Sequence, residues 1–425
     1  MATEGRVDAT QEAPEDPGLV RTRRLLIALL FFGTIINYVD RQVLSLLKPT
    51  ISAEYGWGDA EFAHFAAASQ LAAAGALLFV GWIIDRFGVR LAYGAAVALW
   101  SVAGMAHAVA ATVTQFVSAR VALIAFESVN TPAVVKAAAE YLPIQQRTIG
   151  LGIINTAPNI GNILAPLTVV PFAMVFGWKA AFIVTGLLGF VWLAFWIAGT
   201  AKLRPLPRAR AAEKGTPARS SYSEAFADRK TWAIAGAKAI TDMFWWFFTF
   251  WLPDLFNKVF NLSQTELVGP TALAFSLAAL GALFAGKLFG VLLGTGRTVN
   301  SARKTGMLLF ACVIVPIPLA LSVESAWTAA AIIGLGLFAH QGFSTNIFGF
   351  AADAVPARRV ATVMAIGAIA GNIAGFGIQE VTGVLLSSGV GYAPLFWAAA
   401  GAYLLALAWI HLLVPRIVAE DERMG

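Results

Sequence analysis

This sequence predicts an all-α polytopic membrane protein with twelve transmembrane helices in two six-helix bundles, on three observations. Of its 425 residues, 58% are hydrophobic and only 13% charged, an apolar content beyond that of soluble domains. Apolar windows of about 20 residues, the length of helix that crosses a bilayer, recur along the chain. The basic residues, finally, collect in alternate short loops, as the positive-inside rule expects.

The first six spans fall near residues 24–47, 61–84, 91–111, 115–139, 149–176 and 179–200. After a polar gap, six more fall near 231–257, 266–293, 303–323, 326–353, 361–387 and 391–415. The chain therefore divides into a tail (1–23), a first bundle (24–200), a connecting loop (201–230), a second bundle (231–415) and a short tail (416–425). Residues 1–20 are polar and acidic, show no cleavable signal, and are expected to be disordered.

Charge sets the orientation. The connecting loop carries Lys202, Arg204, Arg208, Arg210, Lys214, Arg219, Arg229 and Lys230, which makes it cytoplasmic. The loops on the same side carry Arg21, Arg23 and Arg24, Arg86 and Arg90, Arg147, Arg297, Arg303 and Lys304, Arg358 and Arg359, and Arg416, against only Lys48, Lys179 and Lys258 opposite. Both termini are thus expected in the cytoplasm. The net charge of +6 reflects topology and not a folded basic face, so no nucleic-acid partner is expected. A single cysteine, Cys312, excludes internal disulfides and thiolate metal clusters. With no metal-ligand cluster, nucleophile–base arrangement or phosphate loop, neither an enzyme nor a cofactor is expected.

Some charges cannot reach a loop, and ionisable groups at membrane depth mark ion or substrate pathways. Span 1 holds Asn37-Tyr38-Val39-Asp40-Arg41, with Thr34, Tyr38, Arg41 and Ser45 forming one polar stripe. Span 4 places Arg120 and Glu127 two turns apart on one face. In span 7, Lys238 and Asp242 form an i,i+4 pair that can neutralise itself. Each also has a structural reading: Arg41 with Asp40, and Arg120 with Glu127, as ion pairs between helices; Asn155, Asn159 and Asn162 as packing hydrogen bonds. His64 and His411 read as interfacial and His107 as packing, while Trp245, Trp246 and Trp251 lie too deep for all to be belt residues.

The run Gly81-Trp82-Ile83-Ile84-Asp85-Arg86-Phe87-Gly88-Val89-Arg90 resembles the G-x-x-x-D-R-x-G-x-R loop of the major facilitator superfamily, whose six-plus-six layout the topology also matches. In that reading it is a gating loop: Gly81 permits close helix approach, Asp85 pairs with a basic residue or helix terminus, and Arg86 and Arg90 face anionic headgroups. The second half has lost the Asp-Arg pair after Gly286. Further matches narrow the resemblance to the anion:cation symporter family, in particular its bacterial hexuronate transporters: Asn37 to Arg41, Glu127 to Lys136, Asn159-Ile160-Gly161, Thr241 to Pro253, and His340 to Asn346.

That resemblance implies a proton-coupled symporter importing an organic anion, typically a hexuronate or related sugar acid, across a bacterial inner membrane, with protons as coupling ion, lipid as surroundings, and a monomer as working unit. Arg41 supplies the planar fork for a carboxylate. Tyr38, Gln341, Asn346 and Asn159 are candidates for hydroxyl contacts, and Trp245 and Trp246 for packing on the sugar ring. Asp40 and Glu127 are the expected proton carriers, held by Arg41 and Arg120 until protonated. Two departures from the hexuronate pattern, Ala73 for a tyrosine and Phe248 for an aromatic hydroxyl, are expected to remove hydrogen-bonding groups from the cavity, and Phe343 for tryptophan to reshape it. A proton-coupled exporter or antiporter of the same fold, or a transport-dead sensor, remains open at this point.

Overall fold

The computed structural model describes residues 17–201, 203 and 222–416. The tail before residue 17, the tail after residue 416 and most of the basic loop, including Lys202, Arg204, Arg208, Arg210, Lys214 and Arg219, lie outside the described residues. The first half comprises α1 (Pro17–Leu46), α2 (Lys48–Tyr55), α3 (Asp59–Phe87), α4 (Val89–Ala106), α5 (Val113–Glu127), α6 (Asn130–Tyr141), α7 (Ile144–Ile154), α8 (Ala157–Phe176) and α9 (Trp178–Thr200). After the short α10 (Tyr222–Ala227), the second comprises α11 (Arg229–Phe260), α12 (Val268–Gly294), α13 (Val299–Ile314), a 3-10 turn (Ile317–Leu321), α14 (Ala326–Ala354), α15 (Ala357–Ser387) and α16 (Ala393–Leu413).

Among the described residues, eleven segments are long and apolar enough to cross a membrane. The span expected near 231–257 is present as the 32-residue α11, but Lys238, Asp242 and Asp254 within it set it apart from those eleven. Two spans are broken. Span 4 bends between α5 and α6 ahead of Pro132, and span 5 between α7 and α8, where Pro158 enters the first turn of α8, because proline gives no backbone donor and disfavours helix just before it. Large side chains such as Phe195 and Leu412 stay exposed along the perimeter, which is stable only against lipid.

The halves meet along α3 with α15, α8 with α12, and α1 with α11. Their contacts are unequal along the axis. At the end away from the termini, a Cβ on Gly383 would touch Ala63, and Ser45 donates to the Phe250 carbonyl at 2.5 Å. The cross-half ion pairs Lys48–Asp254, Lys258–Asp59 and His64–Glu380 also lie toward that end. Toward the termini end, Lys136–Asp85 lies within the first half, and Arg303–Asp353 and Arg359–Asp228 lie within the second. The cross-half ion pairs and the Gly383 contact join the halves at the end away from the termini.

The Gly81–Arg90 loop, expected to gate, departs from its expected geometry at one residue. Gly88 joins α3 to α4 with φ 77°, a left-handed conformation that glycine adopts without strain. Asp85 is 3.3 Å from Lys136, and Arg86 and Arg90 are exposed. Gly81, expected to admit a neighbouring helix, has nothing within 4 Å of where its Cβ would lie, because it is exposed, off the α3 face that buries Val80 and Ile84.

Candidate functional site

Arg41 organises the site. Its Nε donates to Glu127 Oε2 at 3.0 Å, joining α1 to the end of α5, and its guanidinium lies 5.4 Å from the centre of the Tyr38 ring. Tyr38 in turn packs against Gly161 of α8, where a Cβ would come within 2.7 Å of the Tyr38 Cβ. The stripe expected on α1 is real, and its ends serve packing: Thr34 is buried and donates to the Leu30 carbonyl at 2.9 Å, while Ser45 bonds across the halves.

The expected charge pairing is exchanged. Glu127 pairs with Arg41, not Arg120. Arg120, fully buried, donates from Nε to Ser69 Oγ and from Nη2 to the Arg41 carbonyl, both at 2.9 Å, and lies 5.5 Å from the centre of the Phe250 ring on α11. Asp40 makes no ion pair with Arg41, because adjacent helical residues point about 100° apart. It is buried with its Oδ1 unpartnered, and Glu127 and Arg120 are its charged neighbours. Glu127 Oε1 and Arg120 Nη1 are likewise buried without a hydrogen bond. An intramembrane cluster with three open polar valences is poised to exchange partners.

Beside this cluster lies a small pocket between the halves, lined by Arg41, Gln70, Ala73, Trp246, Thr249 and Asn372 among others. Gln70 Oε1 and Asn372 Oδ1 are both buried and unpartnered, one on α3 and one on α15. The sequence reading did not assign either as a site residue; the available signal was a carboxamide inside an apolar span, which is costly without a partner. Ala73 lines the pocket, so a methyl group and no hydroxyl stands at that point of the wall.

Other candidates fall elsewhere. Trp246 lines the pocket, whereas Trp245 stacks on His340 at 5.0 Å between ring centres. Asn346 is buried, donates to its own helix at the Gly342 carbonyl at 2.9 Å, and faces Gly306 of α13. Gln341 and Asn159 are half-buried and are not among the pocket-lining residues. Phe248, expected in the cavity, instead packs edge-on against Phe396 of α16, and Phe343 packs against Tyr403; neither reshapes this pocket. The predicted Lys238–Asp242 pair forms, at 2.7 Å. His107 is a packing residue, stacked on Phe182.

The family model of the Major Facilitator Superfamily matches residues 30–378, spanning both halves and the pocket between them. The chain belongs to the Major Facilitator Superfamily. As a member of the superfamily it is a multi-pass secondary transporter and not an enzyme. Among curated proteins it is 26% identical over 390 residues to the hexuronate transporter of Escherichia coli K12, covering 88% of this chain and 90% of that one. It is 24% identical over 432 residues to the D-galactonate transporter of Escherichia coli O6:H1, covering 95% and 97%. The fold matches the inward-open xylose transporter of E. coli with a TM-score of 0.70 at 14% identity, covering 92% and 96%. It also matches a bacterial homologue of the human lysosomal transporter Spinster, inward-facing and occupied, with a TM-score of 0.71 at 16% identity, covering 93% and 97%.

Proposed function

We propose that the protein is a proton-coupled symporter that imports an organic anion, a hexuronate or related sugar acid, across a bacterial inner membrane with both termini cytoplasmic. The observation that carries this reading is the Arg41–Glu127 pair at the edge of the inter-half pocket. A guanidinium there accepts a carboxylate on its planar fork, and Glu127 already holds the place of that carboxylate. Protonating Glu127 removes the internal competitor and frees Arg41 for substrate; losing the proton restores the internal pair and expels the anion. Asp40, close to Glu127 and Arg120 but in no ion pair among the described residues, is a second group that can carry a proton. Gln70 and Asn372, one from each half, offer open hydrogen-bonding atoms to substrate hydroxyls, so a bound sugar acid draws the halves together. The relatives named as hexuronate and galactonate transporters support this substrate class.

With the basic loops inside, the end at which the ion pairs join the halves faces out, which supports an inward-facing state of alternating access. The deciding experiment is Glu127→Gln in proteoliposomes loaded with hexuronate. Counterflow is expected to survive while accumulation driven by an imposed proton gradient is lost; retained accumulation would overturn the role of Glu127.

A further inference from the structure

Lys238 and Asp242 form an ion pair at membrane depth that the scheme above leaves unused. Both lie on α11, with Lys238 Nζ 2.7 Å from Asp242 Oδ2. The Arg41–Glu127 and Lys48–Asp254 pairs each tie two helices together; this one ties none. Beyond α11 the ammonium lies 5.3 Å from the centre of the Phe348 ring, and the pair has His340 of α14 as an electrostatic neighbour. Removing two charges from water is costly, and an ion pair made within one helix adds no link between helices to offset that cost. Such a pair at membrane depth is expected to act on a ligand.

The opposing helix leaves space for it. On α15 a Cβ at Gly367 would lie 2.9 Å from Lys238 Cδ, one at Gly371 2.7 Å from Asp242 Oδ2, and one at Gly375 2.8 Å from Trp246 Cδ1. Three glycines spaced by four therefore face Lys238, Asp242 and Trp246, also spaced by four, along one seam. Trp246 borders the Arg41 pocket. Lys238 follows on the same face two turns nearer the termini end, about 12 Å along the axis, away from the ion pairs that join the halves.

We propose that Lys238 is a second carboxylate site on the passage from the Arg41 pocket to the termini end. Asp242 occupies it when empty and displaces the departing anion. The substrate carboxylate passes from the guanidinium to the ammonium and then to water, and the internal pair re-forms behind it. This inference rests on the organic-anion reading of the Arg41 pocket.

The test measures equilibrium binding and efflux from proteoliposomes with galacturonate and galactonate as probes. Asp242→Asn leaves the ammonium unopposed, so probe affinity is expected to rise and maximal efflux to fall, each about tenfold. Adding Lys238→Gln removes the charge and should abolish the gain in affinity; because that double variant buries no lone charge, it keeps the test decisive if the single variant folds poorly. Adding Arg41→Ala to Asp242→Asn should leave measurable probe binding, since the two sites are separate. Wild-type affinity and efflux in Asp242→Asn would overturn the second site. Failure of the wild type to bind any sugar acid would instead overturn the organic-anion reading itself.

Discussion

Lys48 Nζ, at the start of α2, lies 2.7 Å from Asp254 Oδ1 in α11, and this contact joins the two halves of the molecule at the far end. The same ammonium reaches Asp59 Oδ1 at 2.7 Å and sits over the rings of Phe62 and Trp251, at 4.8 and 4.3 Å from their centres. Lys258 bonds both carboxylates as well. Burial lowers the pKa of the Lys48 ammonium, while Asp254 opposes that shift. Two lysines and two aspartates, one of each from either half, form a closed ring that must break before the far end opens.

Lys48→Met should therefore weaken the closed state, leaving two carboxylates to share one lysine. Breaking a buried pair costs about 3–5 kcal/mol, of which about 1.4 kcal/mol suffices for a tenfold change in population. With Cys312 replaced by Ser and a cysteine placed at Val43, labelling by a membrane-impermeant maleimide from the far side is expected to rise about tenfold or more. Unchanged labelling would show that the ring does not lock the halves.

At Arg41, lysine keeps the charge but not the planar fork. Arg41→Lys should weaken sugar-acid binding by about 10- to 100-fold, since it replaces a bidentate contact by a single one. Isothermal titration with hexuronates checks this, and binding at the wild-type level would show that Arg41 does not hold the carboxylate.

Gln70 and Asn372 separate binding from stability. A buried polar atom without a partner costs about 1–3 kcal/mol, so Gln70→Leu and Asn372→Leu should leave the thermal midpoint unchanged or raise it. Sugar-acid affinity should fall about tenfold in each. A lower midpoint with unaltered affinity would assign these carboxamides to packing.

The glycine seam predicts a steric effect at one place and none at another. Gly371→Ala drives a methyl group into Asp242 and should destabilise by about 1–3 kcal/mol, as overpacking does. Gly81→Ala meets open space and should leave the melting temperature of the purified protein where it is. Equal behaviour of the two variants in a thermal melt would contradict the seam.

The spans were legible because a bilayer demands about 20 apolar residues per crossing whatever the rest of the chain does. Arg41, Glu127 and Trp246 were legible because charged and aromatic groups at membrane depth are conspicuous. Their partners were not. Reading along each helix paired Arg41 with its neighbour Asp40 and Arg120 with Glu127 on its own face, but a guanidinium binds whatever carboxylate lies across from it, and that depends on how α1 packs against α5. Phe248 was misplaced for the same reason: its position on α11 was clear, but whether that face meets the pocket or α16 was not.

Sequence by itself determined the membrane environment, the six-plus-six layout and the presence of ionisable groups in the interior, since hydropathy and charge act locally and need no tertiary partner to be read. Only the tertiary structure decided that Glu127 is the anion on Arg41, that Gln70 and Asn372, each with an unsatisfied atom, line the Arg41 pocket from opposite halves, and that Lys48 and Asp254 join the halves at the far end. Those relationships join residues remote in the chain, and short-range packing and Coulomb forces fix them only once the helices have been brought together.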